Sequence, residues 1–136
     1  FVIGKAQILT TGIDVTIIAN GHLVWKALEA AEQLAEEGIK AEVINMHTVK
    51  PLDEEAILAS LAKTGCVVTA EEHQRNGGLG DSVAQVLAMY RPAPQEFVAV
   101  NDSFGESGTP DQLMEKYGLT AAAIVEASMR VIARKN

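Results

Sequence analysis

The segment CVVTAEEHQRNGGLGDSV, Cys66 to Val83, constrains the fold more than any other part of the chain. The unbroken apolar run from Cys66 to Ala70 suits a strand buried on both faces, and therefore a strand inside a sheet. The polar cluster Glu71, Glu72, His73, Gln74, Arg75, Asn76 reads as a loop, and Gly77, Gly78, Leu79 and Gly80 open a helix. Open α/β sheets place their ligand face at such a strand, loop and helix start, because helix N-terminal amides are unpaired and carry partial positive charge. Two readings stand side by side at this point. Glu71, Glu72, His73, Arg75, Gly77, Gly78 and Gly80 form a ligand-facing or interface loop, or the glycines let the helix pack on the sheet while the charges face water.

The rest of the chain supports the sheet. Lys5 to Thr10 and Asp14 to Asn20 read as strands joined only by Thr11, Gly12 and Ile13, too short for a helical crossover, so the two run antiparallel. Leu23 to Glu37 keeps a helical apolar period and stops at Gly38. Ala41 to Asn45 is the next strand, and Asp53 caps a helix closed by Gly65. Beyond the central motif, a helix ends before Pro92 and Glu96 to Val100 is the last strand. Thr109, Pro110 and Gln112 start a short helix stopped by Gly118, and Thr120 caps a final helix through Arg134. This alternation implies a three-layer α/β/α fold with a five-stranded mixed, mainly parallel sheet. Without a repeat or linker, residues 1–136 read as one domain.

Composition narrows the function. Eighteen acidic against eleven basic residues give a net charge of -7, which disfavours nucleic acid and anionic membranes as partners. No apolar run approaches the ~20 residues of a membrane helix, and FVIGKAQIL lacks the features of a signal peptide. Phe1 in place of an initiator methionine implies trimming or excision from a longer polypeptide. The one cysteine, Cys66, makes no internal disulfide and reads as a small buried hydrophobe, which fits the cytoplasm. His22, His47 and His73 show no metal-ligand spacing, so no metal site is expected. Trp25 reads as packing at a helix edge or an interface. Adjacent Glu71 and Glu72 would point to opposite sides if the strand continues through them, which weakens an acid–base pair.

Three runs resemble a known family: NMHTVKPLDEEAI at Asn45 to Ile57, VTAEEHQRNGGLGDSVAQVL at Val68 to Leu87, and NDSFGESGTPDQLMEKYGLT at Asn101 to Thr120. In this order they are similar to the C-terminal domain of transketolase-type enzymes. The same domain of deoxyxylulose-phosphate synthase and of 2-oxo-acid dehydrogenase β subunits is a neighbouring alternative, and the trio Glu71, Glu72, His73 favours transketolase. A stand-alone α/β ligand-binding module is a further alternative.

The resemblance implies a complete enzyme that transfers a two-carbon ketol unit between sugar phosphates with thiamine diphosphate and magnesium. It also implies partners: the remaining transketolase domains or an N-terminal subunit, with the complete enzyme a homodimer. No catalytic residue and no cofactor is expected in this domain, whose role would be structural and in subunit assembly. The glycine-rich helix start is flanked by Glu71, Glu72 and Asp81, which repel a diphosphate. Replacing Gly78 by valine is expected to damage the fold more than replacing His73 by alanine, because a β-branched residue there would meet the sheet or need a positive φ.

Overall fold

A computed structural model describes residues 4–47, 51–74, 78–100 and 118–135. Five strands, β1 (Gln7–Thr10), β2 (Val15–Ala19), β3 (Ala41–Asn45), β4 (Val67–Gln74) and β5 (Gln95–Val100), form one sheet in the order β1-β3-β2-β4-β5. β2, β3, β4 and β5 are parallel, and β1 runs antiparallel at the β3 edge. The sheet is mixed and mainly parallel, as the alternation implies. β1 and β2 run in opposite directions but are not neighbours, because β3 inserts between them. The short Thr11–Asp14 connection can cross β3 at its end because Gly12 lies against that strand's entry: a Cβ there would stand 2.5 Å from the carbonyl carbon of Ala41.

Four helices are described: α1 (Leu23–Glu36), α2 (Glu54–Thr64), α3 (Leu79–Tyr90) and α4 (Ala121–Arg134). The period-2 alternation of the strands divides the core in two. Val15, Ile17, Ala19, Val43, Val68 and Ala70 pack with Leu23, Ala27 and Leu34 of α1 and with Ile124, Ala127 and Val131 of α4. Ile18, Ile44 and Val67 pack on the other side with Ile57 and Leu61 of α2 and with Leu79, Val83 and Leu87 of α3. β4 is an interior strand between β2 and β5, and Val67, Val68 and Ala70 are fully buried.

The helix boundaries follow the local chemistry. Asp53 accepts the Ala56 amide at 3.2 Å and, with its second oxygen, the Ala6 amide at 2.8 Å, so one side chain caps α2 and fixes the entry to β1. Gly65 closes α2 at φ 75°, a left-handed conformation that glycine adopts without steric cost. Thr120 caps α4 through the Ala123 amide at 3.1 Å. The FGESG loop and the expected short helix after Thr109 lie outside the described residues.

Under the sheet, Thr16 Oγ1 lies 2.7 Å from Ser60 Oγ and 2.6 Å from Thr64 Oγ1 in a buried hydroxyl chain joining β2 to α2. Buried Glu42 accepts from Lys63 and from the Gly12 amide. Desolvation raises its pKa, but the bonds from Lys63, Ser60 and Gly12 outweigh that and hold the carboxyl below its ordinary value.

Candidate functional site

β3 and β2 end side by side, with Ala19 in register with Asn45 and, on the other side, with Ala70 of β4. That edge carries the chain segments leading to His47, to Asn20, Gly21 and His22, and to Glu71 and Glu72. Sequence spacing gave no sign that the segments carrying His47 and His22 leave the sheet at the same edge, because strand order decides it. Among the described residues no group of three or more His, Cys, Asp and Glu side chains is placed to hold a metal ion.

β4 runs on through Gln74, so Glu71, Glu72, His73 and Gln74 are strand residues rather than the expected loop. The reason is the partner β5, whose Val100 stays in register with Gln74 after a shift beyond Ala70. Period-2 alternation then sends the two carboxylates to opposite faces. Glu71, only 1% exposed, turns toward α3: one oxygen accepts the Leu79 amide at 2.8 Å and the other the Gly80 amide at 2.7 Å. Glu72 turns to the opposite layer, where it accepts the His22 amide at 2.7 Å and lies 3.3 Å from the His22 ring. It caps α1 rather than facing water freely. Gly21, with φ 59°, sits so close to Glu72 that a Cβ would overlap the carboxylate.

Gly80 fits the second of the two readings, a glycine that lets the helix pack on the sheet. Gly78 is the N-cap of α3 with extended backbone, φ -95°, so a positive φ is not what places glycine there. Gly80 is sterically required: a Cβ would stand 2.5 Å from two Phe97 ring carbons and 3.0 Å from Thr69 Oγ1. Gln95 bonds both the Gly80 carbonyl at 3.0 Å and Thr69 Oγ1 at 3.1 Å, fastening the start of α3 to β4 and β5. Arg75 and Gly77 lie outside the described residues, and of His73 only the strand position is described. Trp25 is 71% exposed on the first turn of α1. Cys66 is buried with its thiol toward the Asp14 carbonyl at 3.4 Å, and burial pushes its pKa up, which suits packing rather than nucleophilic chemistry. Sequence reasoning missed Gly21 and His22 as partners of Glu72. The available signal was the Asn20-Gly21-His22 turn directly after a β-branched strand.

The transketolase C-terminal domain family model matches residues 4–124. The chain belongs to this family. It is 55% identical over 136 residues to the 6-deoxy-6-sulfo-D-fructose transketolase subunit SqwH of Clostridium sp. (strain MSTE9), covering all of this chain and 42% of that relative. It is 44% identical over 135 residues to 1-deoxy-D-xylulose-5-phosphate synthase 1 of Geobacter sulfurreducens (strain ATCC 51573 / DSM 12127 / PCA), covering 98% of this chain and 21% of that one. A solved structure described as a split gene transketolase, inactive beta4 tetramer, superposes with TM-score 0.95 at 50% identity, covering all of this chain and 45% of that chain. The transketolase C-terminal domain here thus spans less than half the length of these relatives. No helix among the described residues is long and apolar enough to cross a membrane.

Proposed function

We propose that residues 1–136 act as one domain, the C-terminal part of a transketolase subunit, with a structural and subunit-assembly role. The complete enzyme transfers a two-carbon ketol unit between sugar phosphates. The observation that carries this reading is the 55% identity, across the whole chain, to a protein described as a transketolase subunit. The partners are the remaining transketolase domains or an N-terminal subunit, and the complete enzyme is a homodimer. The cytoplasm is its compartment, in keeping with a single buried cysteine that forms no internal disulfide. Neither nucleic acid nor membrane is a partner of a chain with net charge -7.

Thiamine diphosphate and magnesium belong to the complete enzyme in this reading. The described residues of this domain do not fit them: no cluster of metal ligands is present, and the one glycine-rich helix start is filled by the Glu71 carboxylate. No cofactor is bound by this domain, and it holds no catalytic residue.

The test has two arms. A ligand at one hundred times its dissociation constant adds about 2.7 kcal/mol to the folded state, so binding would raise the melting temperature by several degrees. Saturating thiamine diphosphate with magnesium is expected to leave the melt of the 136-residue chain unmoved, and a clear shift would favour the stand-alone ligand-binding module. Ketol transfer, assayed with donors that include 6-deoxy-6-sulfo-D-fructose, is expected once the remaining domains are supplied. Formation of deoxyxylulose phosphate without ketol transfer would instead assign the domain to the synthase.

A further inference from the structure

Three helix C-termini meet at the edge of the sheet where the parallel strands begin. Lys63 stands in the last turn of α2, Arg91 is the C-cap of α3, and Arg134 and Lys135 close α4. Together with Gly65 and Pro94, which lead into β4 and β5, these residues line an open cleft of about 480 Å³. Four of the eleven basic residues of a chain with net charge -7 thus stand at one cleft, and among the described residues no acidic side chain lines it.

Cations near a helix C-terminus complement its dipole, which accounts for finding them here. It does not account for how much of their charge is in use. Lys63 holds Glu42, and Arg134 holds Glu96. Lys135 donates two of its three N–H groups to the Asp14 and Thr64 carbonyls and meets no carboxylate among the described residues. The exposed Arg91 guanidinium has no hydrogen-bond or ion-pair partner among the described residues. Two positive charges are therefore left over at a cleft of a size usual for small-molecule sites.

We propose that this cleft binds a small phosphorylated molecule, with Arg91 as the main contact of its phosphate and Lys135 as the second positive charge. A guanidinium offers paired N–H donors that match two phosphate oxygens, and a phosphate monoester near neutral pH carries close to two negative charges. The cleft has room for the body of such a molecule as well as its phosphate. It lies at the sheet edge opposite Glu71 and Glu72, as an accessory site on a domain whose helix N-termini hold internal partners. Magnesium thiamine diphosphate is not its ligand, because the metal and the thiazolium ring cancel the charge of the diphosphate. The site does not rest on the transketolase reading.

The test titrates fructose 6-phosphate into the 136-residue chain at constant ionic strength without magnesium, with fructose as control and backbone amides followed by NMR. Saturable shifts are expected at Gly65, Arg91, Ala93 and Lys135 with the phosphate ester and none with fructose. Arg91→Ala is expected to keep the wild-type melting temperature, because the side chain holds nothing in the fold, and to raise the dissociation constant about tenfold. Arg91→Lys, which keeps the charge but not the paired donors, is expected to lose less. Absence of saturation, shifts confined to the Glu71 and Glu72 edge, or a constant that Arg91→Ala leaves unchanged would overturn the site. If the remaining domains supplied in trans cover these amides and exclude fructose 6-phosphate, the cleft is a contact between domains and the small-molecule site is likewise overturned.

Discussion

Gly80→Ala tests how tightly α3 is laid on the sheet. The added Cβ would meet two ring carbons of Phe97 at 2.5 Å, where real Cβ contacts essentially never fall, and the Thr69 hydroxyl at 3.0 Å. Phe97 is on β5, with its backbone in register with Thr69, and Gln95 ties the Gly80 carbonyl to the same strand pair. The helix start therefore cannot slide away without breaking that tie and the two Glu71 bonds. Overpacking of this kind costs about 1–3 kcal/mol, and the gain from replacing a helical glycine by alanine offsets about 0.5–1 kcal/mol of it. The net loss is about 1 kcal/mol, a fall of about 4 °C in melting temperature for a domain of this size. Urea melts of wild type, Gly80→Ala, Phe97→Leu and the double variant form a cycle. Because leucine frees the space that the ring occupies, the double variant is expected to be more stable than the sum of the single losses allows. A Gly80→Ala chain as stable as wild type, or strict additivity in the cycle, would refute the close approach of α3 to β5.

Glu42 has a folded pKa below its ordinary value of 4.5, so its contribution is present above that pH and disappears as the pH falls through the lower folded value; Glu42→Gln is expected to flatten this acid limb of the stability profile in denaturant melts from pH 7 to 3. Cys66 is expected to resist thiol reagents in the native chain and to react fully in guanidinium, and rapid native labelling would contradict its burial. Thr120→Ala removes the α4 cap and is expected to lower stability by about 1 kcal/mol in thermal melts, with Thr120→Asp retaining it.

The legible part of the fold is that in which local pattern and tertiary demand coincide. Asp53, Gly65 and Thr120 act where a residue of their type acts in any helix, and the Cys66–Ala70 run is buried on both faces as its composition requires. The end of β4 was not legible, because Glu71 and Glu72 have the look of loop residues. What keeps them in the strand is pairing with β5 and two helix starts waiting on opposite faces, and neither is visible from neighbours in sequence. The three glycines at the start of α3 are alike in sequence. The demand for glycine at Gly80 comes from Phe97, distant along the chain. The family resemblance carried no information on which carboxylate points where.

The direction of those carboxylates bears on what kind of part this domain is. At the C-terminal edge of the sheet, Glu71 and Glu72 satisfy the amides of α3 and α1 that would otherwise attract an anion. At the opposite edge, the Lys135 ammonium donates to the Asp14 and Thr64 carbonyls, both at 2.8 Å, and so satisfies the end of α2 from the end of α4. Arg134 and Arg130 hold Glu96 of β5, lowering its pKa despite the opposing effect of burial. Helix ends that bind ligands must be left open or water-filled in the free protein, because a built-in partner has to be displaced first. In this chain internal partners reach helix ends at both edges of the sheet. That arrangement favours a rigid support over a binding module.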